Sequence, residues 1–259
     1  MRFMLFNLRL QAATLPALIA TAIAVATAGV WTDPAVAQSG ALLRNEEPRG
    51  SRGPLPETGR YVAETGQTFV LDRSSPRTLM RFERSAEVWV LRPQPAPRGD
   101  VIFRNDAGDQ VLRMTPDGGM TLYLPSAPQG VPVSPDGPAA SLLPPTLTAV
   151  QLTSYIVHQS GRAGRAVGRL VVVDMDIAEG SEAVAADALT TAVDAIVRMS
   201  RSAGLREDAA GVRRIVVVDQ GRPRVTFSRG VLTIVIDPTA GYAGRPSSAR
   251  IARIISGVE

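Results

Sequence analysis

The sequence predicts an α+β protein with two differently organised parts. Short stretches of alternating apolar and polar residues, separated by turn residues, fill residues 59–124 and predict an antiparallel β meander or small barrel. Residues 146–259 instead combine apolar strands with helical periodicity, which predicts a mixed sheet with about three helices. Between them, residues 125–145 carry seven prolines and predict a linker.

The first 37 residues are typical of a cleavable secretory signal. Arg2 and Arg9 supply a positive start, and residues 15–30 are uncharged and rich in alanine and leucine. The small residues Ala35 and Ala37 predict cleavage by signal peptidase between Ala37 and Gln38. An uncleaved anchor is the alternative, but the apolar stretch is short for a membrane span of roughly 20 residues. We therefore expect a periplasmic or secreted protein whose mature chain has no transmembrane segment.

Composition excludes several classes of protein. The absence of cysteine excludes disulfides, zinc–thiolate sites and thiol nucleophiles. Lysine is also absent, which excludes the usual phosphate-binding loop and Schiff-base enzymes. Signal cleavage leaves 26 arginines and 23 acidic residues, a net charge of +3, with the two signs interleaved along the chain. Proteins that bind nucleic acid usually concentrate their basic residues in one patch. Because this chain interleaves the two signs, we expect no binding to nucleic acid.

The N-terminal part of the mature chain divides into an arm and a β unit. Residues 38–58 are rich in Gly, Pro, Ser and charged residues without periodicity, and predict a flexible arm. Turn residues such as those at 105–109 and 115–119 divide the β unit into hairpins. Seven strands are predicted in it: 60–64, 68–72, 78–83, 88–92, 100–105, 110–114 and 120–124.

The C-terminal part, residues 146–259, is predicted to contain helices and strands in alternation. Gly161, Gly164 and Gly168 are interpreted as a helix end and the loop that follows it. The predicted elements are a helix at 146–159, a strand at 169–174, a helix at 181–202, a strand at 214–219, a hairpin of 224–228 with 231–237, and a last helix capped by Ser247 or Ser248.

Three aspartates follow apolar strands and form the first candidate site. Asp174 and Asp219 each end a strand, so parallel pairing would bring them to one edge of the sheet, with Asp176 close by. Such carboxylates hold divalent cations or share acid–base work. Asp174, Asp176 and Asp219 are therefore candidate metal ligands, and Asp174 and Asp219 are candidate catalytic groups. The alternative interpretation is that they merely end strands and begin turns.

His158 is the only histidine and a second catalytic candidate. Ser154 would lie one helical turn away from it, which suggests a serine hydrolase. No G-x-S-x-G nucleophile turn occurs in the chain, however. The alternative interpretation is a surface charge near the end of a helix.

Four arginines are candidate ligands for a phosphate or a sugar acid. Arg162, Arg165 and Arg169 lie in the glycine-rich stretch, and Arg245 precedes a helix start whose free N–H groups favour an anion. The alternative interpretation is a helix end in the first case and helix capping in the second. No cofactor is predicted.

Four segments carry a resemblance to a known family. They are GRYVAETGQTFVLD (59–72), EVWVLRP (87–93), RGDVIFRND (98–106) and AGRPSSAR (243–250). On these segments the chain resembles an uncharacterised family of exported alphaproteobacterial proteins that is classed as a domain of unknown function. The resemblance implies an envelope setting in a Gram-negative cell, and it implies no activity and no site residues.

The function predicted from the sequence is a non-catalytic binding or interaction module of the cell envelope. Its expected partner is an envelope protein or a glycan, and its expected binding surface is the β unit. A metal-assisted or carboxylate-based hydrolase is the first alternative, and it requires the three carboxylates to converge within about 6 Å of one another. The serine hydrolase is the second alternative.

Overall fold

The structure of the chain, a computed structural model, describes residues 55–144 and 146–258. The predicted export signal, its cleavage site at Ala37 and Gln38, and the arm up to residue 54 lie outside the described residues. The described residues belong to one compact unit. Among them, no helix has the length and hydrophobicity needed to cross a membrane.

Eight antiparallel strands form a closed barrel in which each strand pairs with the next and the last pairs with the first. Successive side chains of a strand point to opposite faces, so alternate residues fill the barrel. Phe69, Leu71, Phe103 and Leu122 are fully buried there. The strands are β1 (Gly59–Ala63), β2 (Thr68–Asp72), β3 (Thr78–Phe82), β4 (Val88–Pro95), β5 (Val101–Arg104), β6 (Gln110–Met114), β7 (Met120–Leu124) and β8 (Ala127–Gly137). The predicted β-rich unit is thus confirmed as a barrel.

β8 lies in the segment that the sequence predicts as a linker, so a strand takes the place of most of that linker. Prolines lack an N–H group but keep the carbonyl, and Pro132 O accepts a hydrogen bond of 3.1 Å from Glu64 N–H. The register of β8 shifts against both β1 and β7, as is typical where ladder donors are missing. Val131 and Val133 pack into the barrel, a period-two pattern that the prolines hide in the sequence.

The C-terminal part is a sheet covered by helices on one face. Its strands lie in the order β11-β12-β10-β9, with β11 antiparallel to β12 and the other neighbours parallel. Leu189 and Ile196 of the long helix α2 are fully buried in one cluster with Ile215 and Leu232 of the sheet. The elements are α1 (Ala149–Val167), β9 (Val172–Asp176), α2 (Glu182–Arg201), α3 (Arg206–Gly211), β10 (Arg214–Val218), β11 (Arg224–Ser228), β12 (Val231–Val235) and α4 (Ser248–Ser256). The predicted mixed sheet is confirmed, and the prediction lacked the short α3 and a 3-10 helix at Pro238–Gly244.

α1 is longer than predicted, because it continues through two glycines. Thr148 caps its start in a reciprocal capping box with Gln151. Gly161 and Gly164 lie inside the helix, and only Gly168, at φ 75°, ends it. A Cβ on Gly164 would lie 2.9 Å from Arg169 O, so the glycine admits the chain that returns towards β9. The interpretation of all three glycines as a helix end therefore holds for Gly168 alone.

Candidate functional site

The three predicted carboxylates do not form one group. Asp174 and Asp176 are exposed on β9, and Asp174 Oδ2 pairs with Arg214 Nε at 3.0 Å. Asp219 Oδ2 instead accepts hydrogen bonds from Ala178 N–H at 2.7 Å and from the Ser181 hydroxyl at 2.6 Å. Within the described residues, no three His, Asp or Glu side chains are placed to hold a metal ion. The three carboxylates therefore do not form a metal site there.

His158 and Ser154 are both exposed on α1. The structure gives neither side chain a hydrogen bond within the described part of the chain, so the pairing of nucleophile and base that a serine hydrolase needs is not formed. The nearby Ser160 donates its hydroxyl to Val171 O at 2.6 Å. It thereby ties α1 to the start of β9.

Arg162 and Arg165 lie on α1 and not in a loop. Arg162 donates to Gln159 Oε1 at 2.9 Å and to Asp194 Oδ1 at 2.7 Å, so it joins α1 to α2. Arg165 is exposed. The two arginines are not brought together with Arg245 into one anion site by any contact of the described residues.

Arg245 is buried where the barrel meets the C-terminal part. Its Nε donates to Asp187 Oδ2 on α2 at 2.5 Å, and its Nη2 donates to Val88 O on β4 at 2.7 Å. The guanidinium carbon also lies 5.7 Å from the centre of the Tyr242 ring, within range of a cation–π contact. One side chain thus joins α2, the barrel and the loop before α4.

Two carboxylates from the barrel part of the chain bind the N-terminus of α4. Glu87 accepts hydrogen bonds from Ser248 N–H at 2.8 Å and from the Ser248 hydroxyl at 2.5 Å. Asp106 Oδ2 accepts from Ser247 N–H at 2.8 Å. The sequence makes the N-terminus of α4 a candidate site for an external anion. In the structure this position is instead occupied by carboxylates of the same chain. Segments 87–93, 98–106 and 243–250, which carry the resemblance to the known family, contact one another here.

A cleft of about 470 Å³ opens beside this junction, and we call it the junction cleft. One wall is the outer face of β3 and β4, and the other is the loop that leads into α4. Leu79, Val90 and Leu142 form an apolar floor. A neighbouring cleft of about 380 Å³ shares Leu142, Leu143 and Tyr242 with it. The residues that carry charge in the junction cleft are Arg77, Arg92, Asp106, Asp237 and Arg245.

Tyr242 stands between the two clefts. Burial raises the pKa of its phenol, and the carboxylate of Asp187 raises that pKa further. The hydroxyl group therefore keeps its proton at neutral pH and donates it to Leu143 O at 3.0 Å. Burial likewise raises the pKa of the Asp187 carboxyl, while the Arg245 guanidinium opposes that shift.

The two walls of the junction cleft differ in whether their charged side chains have partners in the described part of the chain. Those of the loop wall do, whereas the two arginines of the barrel wall do not. Asp237 accepts from Thr239 N–H at 3.0 Å, and Arg245 is bound as described above. Within the described residues, by contrast, Arg77 and Arg92 show no side-chain hydrogen bond or ion pair. The cleft thus offers two free guanidinium groups on one wall.

The barrel places these arginines together. Thr78 on β3 pairs with Leu91 on β4, so Arg77 and Arg92 are adjacent one position further along. Arg92 also lies directly opposite Arg104 on β5, and like charges in that arrangement repel. The pairing of Arg77 with Arg92 leaves no local signal in the sequence, because only the strand register makes these two residues neighbours.

One family model matches the chain, and it is described as a domain of unknown function (DUF4908); the match covers residues 38–255. Neither the curated proteins nor the solved structures contain a match.

Proposed function

The chain belongs to this family of unknown function, and we propose that it is an exported cell-envelope protein that binds an anionic glycan in the junction cleft without converting it. The observation that carries the proposal is the pair Arg77 and Arg92, two free guanidinium groups on one wall of a cleft of about 470 Å³. Guanidinium groups bind carboxylates and phosphates through paired N–H donors, which makes an acidic group the matching ligand.

The remaining lining suits a sugar more than a small inorganic ion. Leu79, Val90 and Leu142 present an apolar floor. Tyr242 adds an aromatic ring on the loop wall. Clefts that bind organic ligands combine such apolar surface with a few polar groups that fix orientation. An acidic sugar offers both an anionic group for the arginines and apolar C–H faces for the floor.

We expect the chain to be exported and cleaved before Gln38. When the full chain is expressed in a Gram-negative host, N-terminal sequencing of the periplasmic protein is expected to begin at Gln38, because the small Ala37 fits the signal-peptidase site. Ala37→Tyr should block cleavage, whereas Ala41→Tyr, four residues later, should not. Recovery of the protein in the cytoplasm with Met1 still present would contradict export.

We expect oligogalacturonate to bind the exported chain through Arg77 and Arg92. Each charge-assisted contact is worth about tenfold in affinity, so the double variant Arg77→Gln/Arg92→Gln should bind on the order of 100-fold more weakly in titration calorimetry. Arg84→Gln is the matched control, because Arg84 is also an exposed barrel arginine but does not line the cleft. Binding should weaken as salt is added.

Two results would contradict the anionic-glycan site. One is binding of oligogalacturonate with equal affinity by the double variant and by Arg84→Gln. The other is the absence of binding to the wild-type chain. Neutral maltooligosaccharide serves as the uncharged comparison, and tight binding of it would show that the arginines do not select the ligand.

A further inference from the structure

Most exposed aliphatic side chains in the described part of the protein come from one stretch of the chain, and apart from Leu143 none of them lines the junction cleft. Of the large hydrophobic residues that are exposed in the described part of the chain, all but Val258 lie between residues 143 and 172. They are Leu143, Val150, Val157, Leu170 and Val172. Single exposed aliphatic residues are ordinary, whereas a concentration on one surface marks a binding face.

Three of these residues follow the outer face of α1, and we call them the α1 strip: Val150, Val157 and Leu170. Val150 and Val157 are seven residues apart, which is about two helical turns, so they share a face. They are 79% and 70% exposed. Leu170 is 76% exposed and lies just beyond the end of the helix. A Cβ on Gly164 of α1 would lie 3.9 Å from Leu170 Cα, so Leu170 continues the strip.

The stretch of chain from residue 137 to residue 173 contains no aspartate or glutamate. Arg165 and Arg169 are exposed, and Arg169 also donates a hydrogen bond to Val212 O at 3.3 Å. Arg162 is neutralised by Asp194. A helix that presents apolar residues with basic residues beside them is typical of segments that lie in the interface of an anionic membrane.

We propose that the α1 strip docks the protein onto an anionic lipid surface, with α1 lying parallel to the membrane plane. The valines and Leu170 would enter the boundary between headgroups and acyl chains, and Arg165 and Arg169 would contact lipid phosphates. A second copy of the chain fits this face less well. α1 contains no acidic residue, so an α1–α1 contact would offer no counter-charge for Arg165.

The test is sedimentation of residues 38–259 with lipid vesicles. This chain omits the apolar residues 15–30, which would bind lipid themselves, and keeps both hydrophobic cores. We expect binding to vesicles of phosphatidylglycerol and phosphatidylcholine in equal parts, and little binding to phosphatidylcholine alone. Val150→Asp/Val157→Asp should lower the partition coefficient by about tenfold for each residue.

Val258→Asp is the matched control, because it changes an exposed valine outside the strip. It should leave vesicle binding unchanged, and Arg165→Gln should weaken binding at low salt. Equal binding by the α1 and Val258 variants, or no binding by the wild-type chain, would overturn the proposal. Dimers in sedimentation velocity that only the α1 variants abolish, without vesicle binding, would instead assign the strip to a second copy. Because no residue of the strip lines the junction cleft, glycan binding should be the same in these variants.

Discussion

Replacing Arg245 by methionine is expected to lower the free energy of unfolding by about 3–5 kcal/mol. The side chain of Arg245 is 1% exposed and that of its partner Asp187 is 14% exposed. Removing the guanidinium leaves a carboxylate buried without its counter-ion and leaves Val88 O without its donor. Denaturation by urea, followed by circular dichroism, measures the loss.

A second ion pair supplies the control for this prediction. Arg60 and Asp136 are 2.7 Å apart, with side chains 46% and 44% exposed. Arg60→Met should therefore cost less than about 1 kcal/mol, because solvent screens exposed pairs. The double variant Arg245→Met/Asp187→Leu should recover much of the loss, since both partners are then apolar. Equal losses for Arg245→Met and Arg60→Met would show that the buried pair has no special role.

Replacing Gly244 by alanine is expected to destabilise the protein by about 3 kcal/mol or more. The added Cβ would lie 1.8 Å from Asp237 O, which is far inside van der Waals contact with backbone. Asp237 N–H donates to Gly244 O at 2.8 Å, so the loop cannot move away without breaking its own closure. The loop forms one wall of the junction cleft, and glycan binding should fall together with the melting temperature.

Gly204→Ala is the matched control for Gly244→Ala. No atom lies within 4 Å of the position that a Cβ on Gly204 would take. Alanine there should change the melting temperature little. A melting temperature for Gly244→Ala close to that of Gly204→Ala would contradict the close approach of Gly244 to Asp237.

Local patterns predicted those elements whose periodicity is undisturbed. The helix predicted at 181–202 is α2, Glu182–Arg201, because its apolar face repeats at helical spacing. The predicted hairpin of 224–228 with 231–237 forms as β11 and β12, and it turns at Arg229 and Gly230, both at positive φ. β8 and the glycines of α1 differ from prediction because proline and glycine mark local preference, whereas barrel closure and helix packing act over longer range.

The candidate site was predictable only in part. Arg245 was singled out for its place before a helix start, and it does line the junction cleft. Its partners could not be foreseen, since Val88 is 157 positions away in sequence. Asp219 does follow β10, but Asp174 lies in the middle of β9 opposite Val216, and Asp219 is bound by Ala178 and Ser181. Whether a carboxylate faces a cleft or a turn depends on side-chain direction, which spacing does not determine.

The sequence by itself determined the α+β class, the limits of most strands and helices, and the exclusion of thiol and lysine chemistry. Those properties follow from residue types and from periodicity over a few turns or strands. Tertiary structure alone decided that the barrel closes through β8, that barrel carboxylates cap α4, and that Arg77 and Arg92 meet on one cleft wall. The physical reason is that strand register and the packing of the two parts bring together residues that are distant in the chain, and those contacts leave no local signal in it.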